Sequence, residues 1–235
     1  IQASAETVTD NLIMDNWGYL SNLEEEYRDE NPNKTPQEIV SFLENEIAGL
    51  KQLKNSSINL MNDSTVGDSS YSIFGKDITS AELSLVLTYP AQAIIAFNAS
   101  KDASNSVPNF YEGSAWLNNA DAFRHAYWNA LMERRISKEV WINTGTPDAP
   151  YYVMIHVDFA KEFSDAHEYG NTGIDPEMDL RNNALGRSDA VTYKELDENQ
   201  LALKIVERIA YGYYWRIINE EIVDGKVIKG DLVST

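Results

Sequence analysis

The chain has 235 residues, 43% of them hydrophobic and 11% aromatic, enough for a substantial core, and no apolar run approaches the roughly 18 residues that span a bilayer. Its 37 acidic and 19 basic residues leave a net charge of −18, a field that repels nucleic-acid phosphates and excludes nucleic acid as a general partner unless a bound metal reverses the local potential. There is no cysteine, so disulfides, thiolate ligands and thiol nucleophiles are excluded, and any nucleophile is oxygen, nitrogen or activated water.

The segment Ile1–Thr7 has the small-residue character of a signal-peptide cleavage region, which makes a secreted or envelope-associated protein the expectation after signal-peptide removal. Val8, Leu12, Ile13, Trp17, Leu20 and Leu23 recur at helical intervals between about Glu6 and Glu30. Thr35, Pro36 and Glu38 form a helix start signal, with Thr35 as N-cap, Pro36 at the first helical position and Glu38 closing a capping box, and this helix is predicted to run to about Lys54. The Ser-, Asn-, Asp- and Gly-rich stretch from Asn55 to Lys76 reads as a long surface loop. A second capping box, Thr79 with Glu82, opens an apolar helix to about Ala99, which Pro90 must kink or split. Lys101 to Leu117 reads as loop.

Asn118 or Asn119 caps the next predicted helix, which runs to about Ile136 before the break at Gly145–Pro150. A helix is then predicted from Tyr151 to Tyr169, another from Pro176, and an amphipathic one from Asp197 to Gly212. In the tail, Ile222 and Val223 precede Asp224-Gly225 and Val227 and Ile228 follow it, so a short β-hairpin is predicted. The expected architecture is mainly α: a single compact multi-helix domain over 77–235 with a C-terminal hairpin, and a helical lead-in over 1–76 packed on it.

The chemistry sits in three polar clusters. Asp121, Arg124, His125, Trp128 and Asn129 fall at i, i+3, i+4, i+7 and i+8, one face of a helix where apolar residues would be expected. Asp165, His167 and Glu168 follow, with Asp165 and Glu168 sharing a face if the helix continues. Asp179, Asn182, Asn183 and Gly186 repeat the spacing of the first cluster. Read as a site, His125, Asp121, Glu168 and His167 are the candidate acid/base groups. Asp121, His125, Asp165, Glu168 and Asp179 are the candidate metal ligands, and Arg124, Trp128, Asn129, Asn182 and Asn183 the candidate substrate contacts. Two imidazoles with carboxylates suit zinc, whereas the oxygens alone suit calcium, and a metal-free His–carboxylate pair is equally legal chemistry. The competing reading is a buried polar network that fixes helix packing in a noncatalytic binding or envelope module. His156, in the apolar run Val153–Val157, is expected to have a core or interface role.

The ordered series Asn119–Met132, Asp165–Glu168 and Met178–Arg187 resembles an uncharacterised bacterial domain family with the pattern DAxRHAxWN, DAHE, MDLxNNxxGR. That family occurs in small exported proteins and at the C-terminal ends of Rhs-type repeat proteins. The match covers about Thr79 to Arg187. It implies a mostly helical fold and a shared site drawn from the three clusters, brings no settled activity, and by its placement beside Rhs-type repeats points to a toxin-like or secreted hydrolase role. The expectation from the clusters is a metal-assisted or acid/base hydrolase, with a phosphoester or lipid as substrate. The segment Thr144–Pro150 lengthens the spacing between the first two clusters beyond that pattern.

Overall fold

The structure, a computed structural model, describes residues 12–58, 72–73, 76–224 and 226–235. The expected cleavage segment, Val8, 59–71 and 74–75 of the expected Asn55–Lys76 loop and Gly225 of the hairpin turn lie outside the described residues. Of the rest of that expected loop, 55–58 continue the preceding helix and 72–73 and 76 are strand. The chain divides into two compact units, Ile1–Asn98 and Ala99–Thr235, a boundary that falls within a helix and not near residue 76.

In the first unit, α1 (Trp17–Glu30) and α2 (Pro36–Ile58) meet through a stacked pair, Tyr27 on Phe42, with ring centroids 3.8 Å apart. The helix read from Glu6 to Glu30 is interrupted at Asn16, whose side-chain amide donates to the Leu12 carbonyl at 2.9 Å. The Thr35–Glu38 capping box is formed, with Thr35 N donating to Glu38 Oε2 and Glu38 N to Thr35 Oγ1. A second box, Thr79 with Glu82, opens α3 (Ser80–Thr88). Pro90 splits the apolar helix, as a proline at a first helical position can, and α4 (Pro90–Ser106) starts anew. It continues through a 3-10 turn, Val107–Asn109, so much of the loop expected from Lys101 is helical.

The second unit is built around α5 (Asn119–Arg135) and α7 (Ile174–Thr192), with α6 (Phe159–His167) and α8 (Glu198–Ala210) against them. Asn118 caps α5 by accepting from the Ala120 and Asp121 amides. At the crossing of α5 and α7 the backbones touch: a Cβ added at Gly186 would stand 2.0 Å from the Ala126 carbonyl oxygen. Arg135 holds α8 through a two-pronged bond to Glu198 and reaches Asp102 of α4 at 2.7 Å.

Among the described residues there are three antiparallel two-stranded pairs: β1 (Ser72–Ile73) with β2 (Lys76–Asp77), β3 (Lys138–Asn143) with β4 (Tyr152–Val157), and β5 (Trp215–Val223) with β6 (Lys226–Ser234). The C-terminal hairpin turns at Asp224, whose φ of 50° is the left-handed conformation of a primed turn. The β3–β4 hairpin corrects the prediction of a helix from Tyr151 to Tyr169. The lengthening segment Thr144–Pro150 is its loop, and the helix starts only at Phe159 with Asp158 as N-cap.

Asn182 joins α7 to the C-terminal hairpin in the manner of a strand. Its Nδ2 donates to the Trp215 carbonyl and its Oδ1 accepts from the Trp215 amide, both at 2.9 Å. Asn182→Ala leaves both Trp215 groups without partners and is expected to cost about 2 kcal/mol in urea unfolding. An unchanged midpoint would show that water replaces the side chain at no cost.

Candidate metal centre

Asp121, Arg124 and His125 share one face of α5, and Asp179 projects from α7 toward them. The residue before this helix, Leu117, has a φ of 59°, strained for a leucine, and in that conformation its N–H donates to Asp121 Oδ2 at 2.7 Å while its carbonyl accepts from Ile217 N. Asp121 Oδ1 accepts from Arg124 Nη2 at 2.6 Å. The same Nη2 lies 2.8 Å from His125 Nε2, and because a guanidinium has no lone pair to offer, Nε2 is the acceptor. Asp121 Oδ1 and Asp179 Oδ1 stand 3.5 and 3.3 Å from that nitrogen.

Three acceptor atoms, one each from Asp121, His125 and Asp179, therefore converge within 4.8 Å of one another, all on buried residues. Asp179 Oδ1 has no hydrogen-bond donor among the described residues. Burial, then the charges of Asp121, Glu168 and Asp175, push the Asp179 carboxyl up to about 9, with Arg124 opposing. His125 moves the other way: burial, Arg124 and His167 hold its imidazole well below the usual histidine range, so it is neutral with Nε2 free of a proton. Asn183 is the polar neighbour that favours the charged ring, yet His125 Nδ1 and Asn183 Nδ2 each lack an aligned hydrogen bond.

Around this triad opens a cleft of about 420 Å³. Glu168 and Asp175 line it, and burial raises both carboxyls. Arg124, His167 and Trp116 stand on its wall, and Lys226 and Val227 come from β6. His167 is exposed and sits edge-on to Trp128, with centroids 5.3 Å apart, while Trp128 lies edge-on to His125 at 6.5 Å.

The predicted residues thus separate into two sets. Asp121, Arg124, His125, His167, Glu168 and Asp179 meet at the cleft. Asn129, Asn182 and Asn183 are fully buried, and the first two spend their hydrogen bonds inside the fold: Arg187 donates to Asn129 Oδ1 at 2.8 Å, and Asn129 Nδ2 donates to Asn183 Oδ1 at 2.7 Å. Asp165 is not brought in. The helix ends at His167, and Asp165 lies outside the cleft, paired with Lys161 one turn earlier. The sequence reading omitted Asp175, although it lies one helical turn before Asp179, and omitted Trp116 and Lys226, which no local pattern ties to the clusters.

Residues 83–212 match a protein family described as a domain of unknown function (DUF6973). No curated protein and no solved structure matches the chain.

Proposed function

Because the chain belongs to the DUF6973 family, whose description names no activity, we propose its function from the cleft: a divalent-cation-dependent hydrolase of anionic esters. The observation that carries this reading is the convergence of Asp121, His125 and Asp179 with an unpartnered oxygen on Asp179. Lone pairs held this close repel unless a proton or a cation lies between them; in the metal-free fold the Asp179 proton and Arg124 Nη2 serve, and a divalent cation would displace both. The inclusion of an imidazole favours zinc over calcium, and three protein ligands leave a position for water. Held by Asp121, His125 and Asp179, a divalent cation would supply Lewis acidity, lowering the pKa of a water and polarising an ester oxygen.

The remaining residues divide the work. Glu168, its carboxyl made more basic by burial, accepts the proton of the attacking water. Arg124 and Lys226 offer the cationic wall that draws an anionic substrate into a cleft otherwise lined with carboxyls. Trp116 supplies an apolar side, Trp128 lies outside the lining and backs the His167 and His125 rings, and Asn129, Asn182 and Arg187 brace the helices. The alternative of a structural polar network is favoured for this bracing set alone, by its satisfied hydrogen bonds. The resemblance to small exported bacterial proteins and Rhs-type C-terminal domains supports an exported bacterial protein as the setting.

Zinc-loaded protein assayed on para-nitrophenyl phosphate mono- and diesters and on a fluorogenic phospholipid is expected to turn over at least one of them. Glu168→Gln is expected to lower kcat by about 10²- to 10⁴-fold while zinc affinity stays within a few-fold. Zinc binding without turnover of any ester would leave a metal site and reject the hydrolase.

A further inference from the structure

A second group of ligand-type side chains lies apart from the cleft, at the base of the β3–β4 hairpin. Glu133 comes from the last turns of α5, His156 from β4 and Asp158 from the N-cap of α6, and one ligand atom from each falls within 4.8 Å of the others. Glu133 is deeply buried, with its side chain 6% exposed. Its Oε1 lies 2.9 Å from His156 Nε2, the Ser137 hydroxyl is a polar neighbour that favours its ionised form, and its Oε2 has no aligned hydrogen-bond partner among the described residues. A buried carboxylate with one oxygen unpaired is costly unless something completes it.

The other two residues are held without being used up. Asp158 Oδ1 accepts the Lys161 amide as the cap of α6, which fixes the carboxylate, while its Oδ2 has only a long contact of 3.5 Å to Arg187 Nε. The His156 side chain is 44% exposed, so the group opens to solvent. Mutual geometry also gives it a task. Two-stranded hairpins are marginal in water, and this one carries little core of its own: Ile142, Tyr151, Tyr152, Met154 and Ile155 are all exposed.

We propose that Glu133, His156 and Asp158 form a second divalent-cation site, of the zinc type, that staples the β3–β4 hairpin to α5 and α6. One imidazole and two carboxylates supply three ligands, and water from the open side supplies the fourth. Because the three ligands come from three elements, binding constrains the hairpin relative to both helices, and it does so whether or not the cleft is catalytic.

Chelator-treated protein is titrated with zinc against a chromophoric chelator, with hydrogen exchange of 138–157 followed in parallel. Asp179→Asn protein is expected to bind one equivalent and to gain protection in 138–157. Adding His156→Ala to that variant removes both effects, and adding Glu133→Gln to it weakens binding at least tenfold. If Asp179→Asn protein binds no zinc, or binds it without protecting 138–157, the staple is refuted. Binding that survives Glu133→Gln unchanged would mark a lone surface histidine and refutes it too. If instead His156→Ala protein binds no zinc while Asp179→Asn protein does, the staple stands and the cleft reading falls.

Discussion

Asp179→Asn is expected to stabilise the metal-free protein while it abolishes cation binding in the cleft. The carboxyl is pushed up to about 9 in the fold from an ordinary value of 3.8, so near neutral pH it is protonated when folded and ionised when unfolded. The folded state then binds the extra proton, and the linkage sign follows: stability falls as pH rises from about 4 to about 9 and levels off beyond. An amide keeps the shape and removes this dependence. At pH 7.5 the gain is expected to be on the order of 2 kcal/mol, discounted from the full shift because the new amide also needs partners, or about 4–8 °C in Tm for a chain of this size. Thermal melts between pH 5.5 and 8.5 in chelator check it. A destabilised variant with the wild-type pH slope would mean that Asp179 is ionised and paired in the native state. Stability gained by removing an ionisable group that the fold forces to stay protonated is the usual signature of a side chain kept for binding and not for folding.

The largest loss is expected at Gly186. A methyl group there meets the Ala126 carbonyl oxygen at 2.0 Å and its carbon at 2.7 Å, and neither is a flexible side-chain end that could move aside. Gly186→Ala must therefore push α7 away from α5, which separates Asp179 from Asp121 and His125 in the same movement. A cost of roughly 3 kcal/mol or more is expected in denaturant unfolding, at the upper end for overpacking. Gly49→Ala is the matched control: it lies in α2, exposed, with no atom within 4 Å of the added carbon, and is expected to stabilise by up to about 1 kcal/mol. Equal effects at the two positions would show that the α5–α7 contact is looser than its geometry.

Much of the helical framework was legible because its signals are local. Thr35 with Glu38, Thr79 with Glu82, and Asn118 each announce a helix through side chains that satisfy its first amides, and all three do so in the structure. Pro90 and Asp224-Gly225 are equally local. The β3–β4 hairpin was not legible. Val153–Val157 is exposed or half-exposed on both faces, so it lacks the alternation that marks a strand, and its partner Lys138–Asn143 lies beyond the loop. Reading that stretch as helix also misplaced Asp165. Grouping it with Glu168 at i+3 requires the helix to continue, whereas α6 stops at His167 and Glu168 enters the cleft from the turn. The same error hid the juxtaposition of His156 with Glu133, a contact across secondary elements.

The division of the polar stripe into a satisfied and an unsatisfied half was beyond the sequence for a further reason. Asn129, Asn182 and Asn183 look alike in the motif, but only the position of Trp215 and Arg187 shows that Asn182 and Asn129 are committed to the fold. On the other side, the carboxyls of Asp121, Glu168 and Asp175 gather around Asp179 from three segments, and burial first, then their combined charge, raises it. A cluster of this kind favours cations, and binding must expel the Asp179 proton, so zinc affinity in the cleft is expected to rise with pH up to about 9.

The most direct measurement is a zinc competition titration at pH 8 of chelator-treated His156→Ala protein, in which the cleft is read alone. One equivalent bound, and lost when Asp179→Asn is added with the fold intact by circular dichroism, is the expected result. No zinc bound, or one equivalent bound regardless of Asp179, would contradict a metal centre at Asp121, His125 and Asp179.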